Sequence, residues 1–323
     1  MYVIVKVKKV PFYAPMSAKP IPTTRYGHPP KPVRRYKPPG VKPIKHIRHP
    51  QSPTHGVVLV VGEVQSGKSS VVNVLFGGEN RQISPIQDRG TINIWEFRSV
   101  DNLRVIDTPG LGTPSWLERD AQIMASLKKI FDTDAELSRY IPHMVVVVTR
   151  FDAPESEFGH PESGFVKTLK ALNLLRARLF DEQHSNIIIV LTHFMDGQRK
   201  YRLVPQPLLD KVKSIVRIYV DVPCDPYVVV AENHTDRSNL PRVGNNVRLT
   251  NGDLYPENLK EAMLSVARNS KSLIGYEYFF RTLRETPNIN FDEPLVFRMV
   301  DPERTRYRKF LEAIVLAYSS SSV

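Results

Sequence analysis

Short segments rich in apolar residues recur along the chain from residue 56 onward. They lie at 56–62, 92–99, 103–108, 143–150, 186–193 and 226–233. Runs of this kind are typical of strands buried on both faces of a sheet. Apolar residues at helical spacing follow or separate most of them, at 68–78, 115–131, 163–181 and 205–219. The alternation predicts a three-layer α/β fold with a mainly parallel sheet covered by helices on both faces.

Two of the predicted strands, 92–99 and 103–108, break this alternation because only the short segment 100–102 separates them. So short a connection predicts an antiparallel hairpin, which places one antiparallel strand at an edge of the sheet. Farther along, residues 234–256 are polar and predict a loop, and 257–285 predict a helix.

A last helix is predicted at 301–318, with Asp301 as its N-cap and Pro302 at the first helical position. Its apolar stripe consists of Tyr307, Phe310, Leu311, Ile314, Val315 and Tyr318. The stripe predicts packing against the domain, or else contact with a partner or a membrane surface. A Ser-rich tail ends the chain.

The net charge of +12 is concentrated in residues 1–55, which hold 12 of the 45 Lys and Arg residues, 12 of the 27 Pro residues and no acidic residue. Residues 56–323 carry 33 basic and 33 acidic residues. Proline at this density predicts a disordered, partly polyproline arm. The arm would serve solubility and spacing, or it would bind an anionic membrane surface, an acidic protein or nucleic acid. A further possibility is that the arm is a transit peptide.

The remaining composition narrows the class of protein. The chain of 323 residues is long enough for one sizeable domain, and its one cysteine, Cys224, excludes an internal disulfide framework. We find no apolar run of the ~18–20 residues that a membrane span needs, and no signal-peptide core. A cytoplasmic protein, either free or peripheral on a membrane, is the expectation.

The chemistry-bearing motif is G-x-x-x-x-G-K-S, with Gly62, Gly67, Lys68 and Ser69, between a predicted strand and a predicted helix. In that context its backbone amides form a cradle for phosphate. Lys68 is expected to reach the β- and γ-phosphates, and Ser69 to bind Mg²⁺. The other residues expected at the phosphates are Val64, Gln65, Ser66 and Ser70. Glu63 would repel phosphate, so its side chain is expected to point to solvent.

A second motif, D-T-P-G, ends the third predicted strand. Asp107 at that position can hold Mg²⁺ through water, and the amide of Gly110 can meet a γ-phosphate. Between the two motifs, Thr91 is a candidate to close on Mg²⁺ and γ-phosphate, with Ser84 as a rival hydroxyl.

Residues at the ends of the last two strands indicate which base is bound. The carboxylate of Asp196 can accept from both the N1 and N2 donors of guanine, a pair that adenine lacks. His193 and Phe194 offer planar groups for stacking on a purine. Glu232 and Asn233 follow the sixth strand, where Asn233 is expected near the O6 side of the base.

In this order the motifs resemble the branch of P-loop GTPases that holds the AIG/GIMAP proteins, the chloroplast Toc GTPases and the septins. The resemblance covers 56–285 and implies a G domain, with the arm at 1–55 and an extension at 286–323 outside it. It also implies GTP/GDP and Mg²⁺ as ligands and a homodimer across the nucleotide face. Phe194 departs from the AIG pattern, which often has lysine at that position.

"VVVVTRFDAP" is similar to a box in which the AIG and Toc groups carry an arginine that reaches the partner's site in a dimer. Arg150 matches that position, and an ion pair with Asp152 is the alternative use of its side chain. Leu111 stands where Ras-like proteins place a water-orienting glutamine, which predicts slow hydrolysis by the monomer.

Three functions remain open at this point. The first is a GTPase that acts as a nucleotide-dependent switch or assembly protein, with hydrolysis stimulated by a dimer or partner. The second is a GTP-binding scaffold with negligible hydrolysis that recruits partners through its arm and last helix. The third is an ATP-using P-loop enzyme such as a small-molecule kinase, for which the sequence offers no clear lid or acceptor base.

Overall fold

The computed structural model describes part of the chain. The described residues are 56–76, 93–98, 103–112, 117–133, 142–152, 158–180, 185–201, 205–220, 222, 224–233, 239–244, 246–269, 295–297, 299 and 305–320. All of them fall within the unit Pro50–Val323. The predicted arm at 1–55 and the candidates Thr91 and Ser84 lie outside the described residues.

The strands correspond closely to the apolar runs of the sequence. They are β1 Gly56–Gly62, β2 Ile94–Arg98, β3 Leu103–Asp107, β4 Met144–Arg150, β5 Ile187–Thr192, β6 Tyr227–Val230, β7 Arg242–Val243, β8 Asn246–Arg248, β9 Leu254–Tyr255 and β10 Leu295–Phe297. The helices are α1 Lys68–Phe76, α2 Leu117–Thr133, α3 Gly164–Asn173, α4 Arg176–Leu179, α5 Phe194–Tyr201, α6 Pro205–Val220, α7 Glu257–Asn269 and α8 Thr305–Ser319.

The main sheet has the strand order β10-β2-β3-β1-β4-β5-β6. Its five strands from β3 to β6 are parallel, whereas β2 pairs antiparallel with β3 and β10 pairs antiparallel with β2. The mainly parallel fold class and the antiparallel hairpin are therefore confirmed. A short strand that the sequence analysis did not identify, β10, lies outside the hairpin.

The core follows from the composition of the central strands. All residues of β3 and β5 are buried, as are all but the first residue of β1. Since successive side chains of a strand point to opposite faces, both faces of the sheet must be covered. Helix α1 contacts β1 and β3, and α7 contacts β4, β5 and β6. Helix α3 contacts β1 and packs beside α2 and α6.

Two sequence predictions need correction at the level of elements. Residues 234–256 are not one loop, because β7, β8 and β9 form a small antiparallel sheet within them. The helix predicted at 163–181 divides into α3 and α4, with Ser163 as the N-cap of α3: its Oγ accepts a hydrogen bond from the amide of Val166. The predicted domain boundary at 285 lies outside the described residues and stays a prediction.

The last helix, α8, packs on α2 and α3, the domain-packing alternative of the sequence analysis. Tyr307, Ile314 and Tyr318 are buried there, whereas Val315 is 40% exposed and does not belong to the buried stripe. Among the described helices, none has the length and apolarity to cross a membrane.

Candidate nucleotide site

The phosphate-loop candidate connects the end of β1 to the start of α1, where the sequence places it. Gln65 and Gly67 have φ angles of 61° and 87°, so the backbone turns through the left-handed region twice. A Cβ added at Gly67 would lie 2.7 Å from the side-chain nitrogen of Asn233. Glycine is therefore favoured at residue 67 by its backbone conformation, and a Cβ there would displace the Asn233 side-chain amide.

Lys68 folds its side chain back over this loop. Its Nζ donates hydrogen bonds to the carbonyl oxygens of Gly62 at 3.3 Å and Glu63 at 2.7 Å. Burial lowers the pKa of Lys68 to about 8, while the carboxylates of Asp107 and Glu63 oppose that shift. The ammonium group is thus largely charged at neutral pH, and an anionic phosphate beside it would raise its pKa further.

Glu63 does not point to solvent, so that expectation is wrong. Its Oε1 accepts a hydrogen bond of 2.9 Å from the hydroxyl of Thr149, at the end of β4. Its Oε2 lies 2.3 Å from the position that a Cβ would take at Gly164. Burial raises the pKa of Glu63, and the bonds from Thr149 and the backbone of Arg150 oppose the rise. The carboxylate ties the loop to β4 and lies against the first residue of α3.

The proposed metal ligands from the two motifs meet. The Oγ of Ser69 donates a hydrogen bond of 3.3 Å to Oδ2 of Asp107, although the two residues come from α1 and β3. A hydroxyl and a carboxylate oxygen are ligands that suit Mg²⁺, which is bound through few protein oxygens with phosphate and water completing its shell. The donor set therefore fits this ion.

The D-T-P-G loop packs directly against the phosphate loop. The amide of Leu111 donates to the carbonyl oxygen of Gly62 at 2.9 Å, and the amide of Thr108 donates to that of Val60 at 3.2 Å. A Cβ at Gly110 would lie 2.6 Å from Cα of Val64. Gly110 thus allows the two loops to touch, and Leu111 is fully buried.

The candidate base-binding residues gather at the carboxyl ends of β5 and β6. His193 lies directly after β5, and Asp196 is exposed in the first turn of α5. The Nδ2 of Asn233 lies 3.4 Å from the carbonyl oxygen of Gly67, to which it donates. The structure therefore brings Asn233 beside the phosphate loop and leaves the Asp196 carboxylate accessible.

Phe194 and Glu232 have structural contacts that the sequence did not indicate. Phe194 is fully buried, and its ring centroid lies 5.1 Å from that of Phe151, so the prediction that Phe194 stacks on a purine is wrong. Glu232 is buried and its Oε2 accepts a 3.0 Å hydrogen bond from the amide of Met195 in the first turn of α5. This bond satisfies an amide at the helix N-terminus.

Arg150 forms an ion pair with Asp152, which the sequence analysis gave as the alternative to contact with a partner's site. Its Nε and Nη2 donate to the two carboxylate oxygens of Asp152 at 2.7 and 2.6 Å. The Arg150 side chain is 37% exposed and that of Asp152 is 5% exposed. Burial disfavours ionised Asp152, but the hydrogen bonds and charge of Arg150 outweigh it and hold the pKa of Asp152 below its usual value.

Two residues that connect the site were missed by the sequence analysis. The hydroxyl of Thr192 donates to the carbonyl oxygen of Ser66 at 2.6 Å, which ties β5 to the phosphate loop. The hydroxyl of Tyr255 donates to Oδ1 of Asn233 at 2.9 Å, which fixes that amide. A polar residue at a strand end was a usable signal for Thr192, whereas Tyr255 lies in a segment without periodicity.

Comparison with known proteins gives the following similarities. Residues 57–193 match the family model of the 50S ribosome-binding GTPases. A structure of the chloroplast translocon components atToc33 and psToc159 is 21% identical with a TM-score of 0.47, covering 68% of this chain and 85% of that chain. Toc33 from Arabidopsis thaliana with GDP and Mg²⁺ is 20% identical with a TM-score of 0.45, covering 68% and 86%.

A probable GTP-binding protein engB is 17% identical with a TM-score of 0.42, covering 67% of this chain and 100% of that chain. No curated protein matches the sequence. The motifs of the phosphate loop, the parallel sheet that carries them and the match over 57–193 agree with one another. The fold is that of a P-loop GTPase G domain.

Proposed function

We propose that this chain binds GTP and GDP with Mg²⁺ and hydrolyses GTP slowly, as a nucleotide-dependent switch or assembly protein. The observation that carries the proposal is the meeting of three motif residues from α1 and β3. Lys68 lies folded over the phosphate loop, and Ser69 contacts Asp107 at 3.3 Å. In this proposal Lys68 binds the β- and γ-phosphates, and Ser69 and Asp107 hold Mg²⁺ with Thr91. Bound Mg²⁺ would neutralise charge that develops on the phosphates.

The geometry also supports roles for the backbone groups of the loop. The amides of 64–70 at the start of α1 would surround the phosphates, because a helix N-terminus favours anions. Gly110 would contact the γ-phosphate through its amide, since its loop already packs on Val64. Because the D-T-P-G loop contacts the phosphate loop, the position of residues 110–112 would depend on the nucleotide bound by the phosphate loop.

Guanine preference rests on Asp196, with His193 as the planar group beside the base. Asp196 is exposed in the helix that follows β5, the strand whose last residue, Thr192, is bonded to the phosphate loop. Asn233 is held by Tyr255 with its nitrogen towards Gly67, so it supports the phosphate loop as well as the base side. Glu232 acts on the base indirectly, because its carboxylate binds the first turn of α5, which carries Asp196.

Arg150 is proposed to act on the nucleotide of a second copy of this chain. Asp152 binds two of its donors and orients the guanidinium, and the rest of a guanidinium's donors remain for a partner's phosphates. In this account the ion pair positions the arginine for a homodimer across the nucleotide face. The basic arm would add contact with an anionic membrane surface, an acidic protein or nucleic acid.

A second candidate function is a GTP-binding scaffold with negligible hydrolysis. The burial of Leu111 favours it, because that residue is fully buried, its amide is bonded to Gly62, and its side chain has no group that orients water. The two functions differ in whether phosphate is released over many turnovers.

The test is phosphate release from GTP at steady state, measured per molecule against protein concentration. We expect turnover per molecule to rise as dimers form, and Arg150→Ala to remove that rise, with a fall on the order of 10³-fold when the arginine acts fully in trans. Arg217→Ala is the matched control, since Arg217 also pairs with an aspartate, Asp225, which lies at the amino end of β6 rather than at the carboxyl ends of the strands. Turnover that stays near zero at every concentration, with GTP bound, would favour the scaffold.

A further inference from the structure

The last helix reaches the proposed γ-phosphate loop through two successive hydrogen bonds. The hydroxyl of Tyr318 in α8 donates to Oδ2 of Asp120 in α2 at 2.6 Å. The same oxygen accepts a hydrogen bond of 2.9 Å from the amide of Gly112. Gly112 follows Gly110 by two residues, so α8 is connected to the loop whose amide is proposed to meet the γ-phosphate.

This connection is buried, which makes its loss costly. Asp120 is fully buried and Tyr318 is 6% exposed. Burial raises the pKa of Asp120 to about 6, and the bonds from Tyr318 and Gly112 oppose the rise. The Asp120 carboxylate depends on these two hydrogen-bond donors. Burial has removed its hydration, and losing a donor would leave that free-energy cost uncompensated. Asp120 therefore holds Gly112 and Tyr318 together.

The end of α8 is fixed on α3 by two lysines. The Nζ of Lys170 donates to the carbonyl oxygen of Ser320 at 2.7 Å, just past the last residue of the helix. The Nζ of Lys167 lies 5.7 Å from the centroid of the Tyr318 ring. Basic groups are favourable at a helix C-terminus. The last turn of α8, which carries Tyr318, is thus held on α3 by both lysines.

Gly112, where the connection from α8 reaches the loop, has little room to move. Gly112 has a φ angle of 80°, and a Cβ there would lie 2.4 Å from the carbonyl oxygen of Gly164, the first residue of α3. The amide of Leu111 is bonded to Gly62 in the phosphate loop. Residues 110–112 therefore lie between the phosphate loop and α3, and a shift of this loop would strain or break the bond from Gly112 to Asp120.

We propose that α8 is a nucleotide-responsive strap: through Tyr318 and Asp120, its docking on α2 and the position of residues 110–112 stabilise each other. The proposal rests on the proposed function, since it assumes that residues 110–112 meet the γ-phosphate. GTP, by holding the loop against the phosphate loop, then favours the docked helix, and GDP allows it to loosen. By linkage, the docked helix must in turn favour GTP over GDP.

The experiment compares the two nucleotides in matched variants of the full chain. The ratio of the dissociation constants for GDP and GTPγS is measured by competition in the unaltered protein, Tyr318→Phe and Tyr307→Phe. Tyr307 is also buried on α8, but its hydroxyl has no hydrogen-bond partner among the described residues. We expect Tyr318→Phe to lower the preference for GTPγS by about 5-fold or more, the lower end of typical couplings. Tyr307→Phe should leave it within about 2-fold.

A second measurement needs no variant and covers the case in which Tyr318→Phe does not fold. Amide hydrogen exchange over 305–319 in the unaltered protein should be slower with GTPγS than with GDP. Equal exchange with both nucleotides, or an unchanged or increased GTPγS preference in a folded Tyr318→Phe, would overturn the strap. Those results leave GTP binding intact, whereas failure of the unaltered protein to bind either nucleotide overturns the proposed function and the strap together.

Discussion

The two charged side chains of the phosphate loop, Lys68 and Glu63, contact different parts of the protein. Lys68 lies over the loop, bonded to two of its carbonyl oxygens, where an anionic phosphate would compete for the ammonium group. Glu63 points away, towards Thr149 and the first residue of α3. The Glu63 carboxylate therefore ties the loop to β4, whereas the Lys68 ammonium group lies over the loop itself. This division explains how an acidic residue is compatible with a phosphate site.

The proposed recognition of guanine by Asp196 is tested by Asp196→Asn, which replaces one carboxylate oxygen by an amide nitrogen. An amide in place of the carboxylate presents one acceptor and one donor, so it matches xanthine better than guanine. We expect the affinity for GTP to fall by about 10- to 100-fold, as for loss of hydrogen bonds to a charged group, and the affinity for xanthosine triphosphate to rise. Competition with a fluorescent GTP analogue measures both.

Asp210→Asn is the matched control for this test. Asp210 is likewise exposed on a helix, but it is bonded to Gln206 within α6 and does not lie at a strand end. It should leave both affinities unchanged. An Asp196→Asn protein that binds GTP as tightly as the unaltered chain would remove Asp196 from the base site.

For single residues, the sequence predicts which side chains take part in the chemistry. It predicts less well where those side chains point. Lys68, Ser69 and Asp107 meet as their motifs indicate, because backbone geometry decides their placement. The direction of Glu63 depends on Thr149, which is 86 residues away along the chain. The burial of Phe194 depends in the same way on Phe151. Such long-range contacts leave no periodic signal in a single sequence.

Among the elements, the contact between the phosphate loop and the D-T-P-G loop is the one on which the site depends. We predict that Gly110→Ala forces the loops apart, since its Cβ would lie 2.5 to 2.7 Å from three atoms of Val64, two of them backbone. The expected cost is about 1–3 kcal/mol of folding free energy, the usual range for overpacking, together with weaker GTPγS binding. Thermal or urea unfolding and a nucleotide titration measure the two effects.

Gly159→Ala provides the comparison for that variant. A Cβ there would make ordinary contacts, with the nearest atom, Cδ1 of Ile215, at 3.6 Å. Its stability should change little. Equal stability and equal nucleotide binding in the two alanine variants would show that the two loops do not need to touch.

How well an element could be predicted depended on its length and burial. Strands β1, β4 and β5 are largely apolar, because strands buried on both faces carry few polar residues; β3 is buried as well, although it contains Arg104 and Asp107. The strands β7, β8, β9 and β10 have two or three residues each, too few to show any period. Their existence depends on pairing with other segments, as β10 pairs with β2.

For the molecule as a whole, the family match and the last helix lie in different parts of the chain. Residues 57–193 match the GTPase family model, whereas α8 follows that span and still contacts the proposed γ-phosphate loop through Asp120. Arg150, whose side chain is 37% exposed, is paired with the buried Asp152 in the same domain. In the proposed account, a bound nucleotide acts on α8 within the chain and on Arg150 between two copies.

The most direct test of the central claim is calorimetric titration of the full chain with GTP and with ATP, each with Mg²⁺. The account predicts that GTP binds in the micromolar range or tighter, that ATP binds at least about 100-fold more weakly, and that Lys68→Ala abolishes GTP binding. Lys213→Ala, on α6, should bind as the unaltered chain does. Absence of binding heat with GTP, or equal affinity for ATP, would contradict the account.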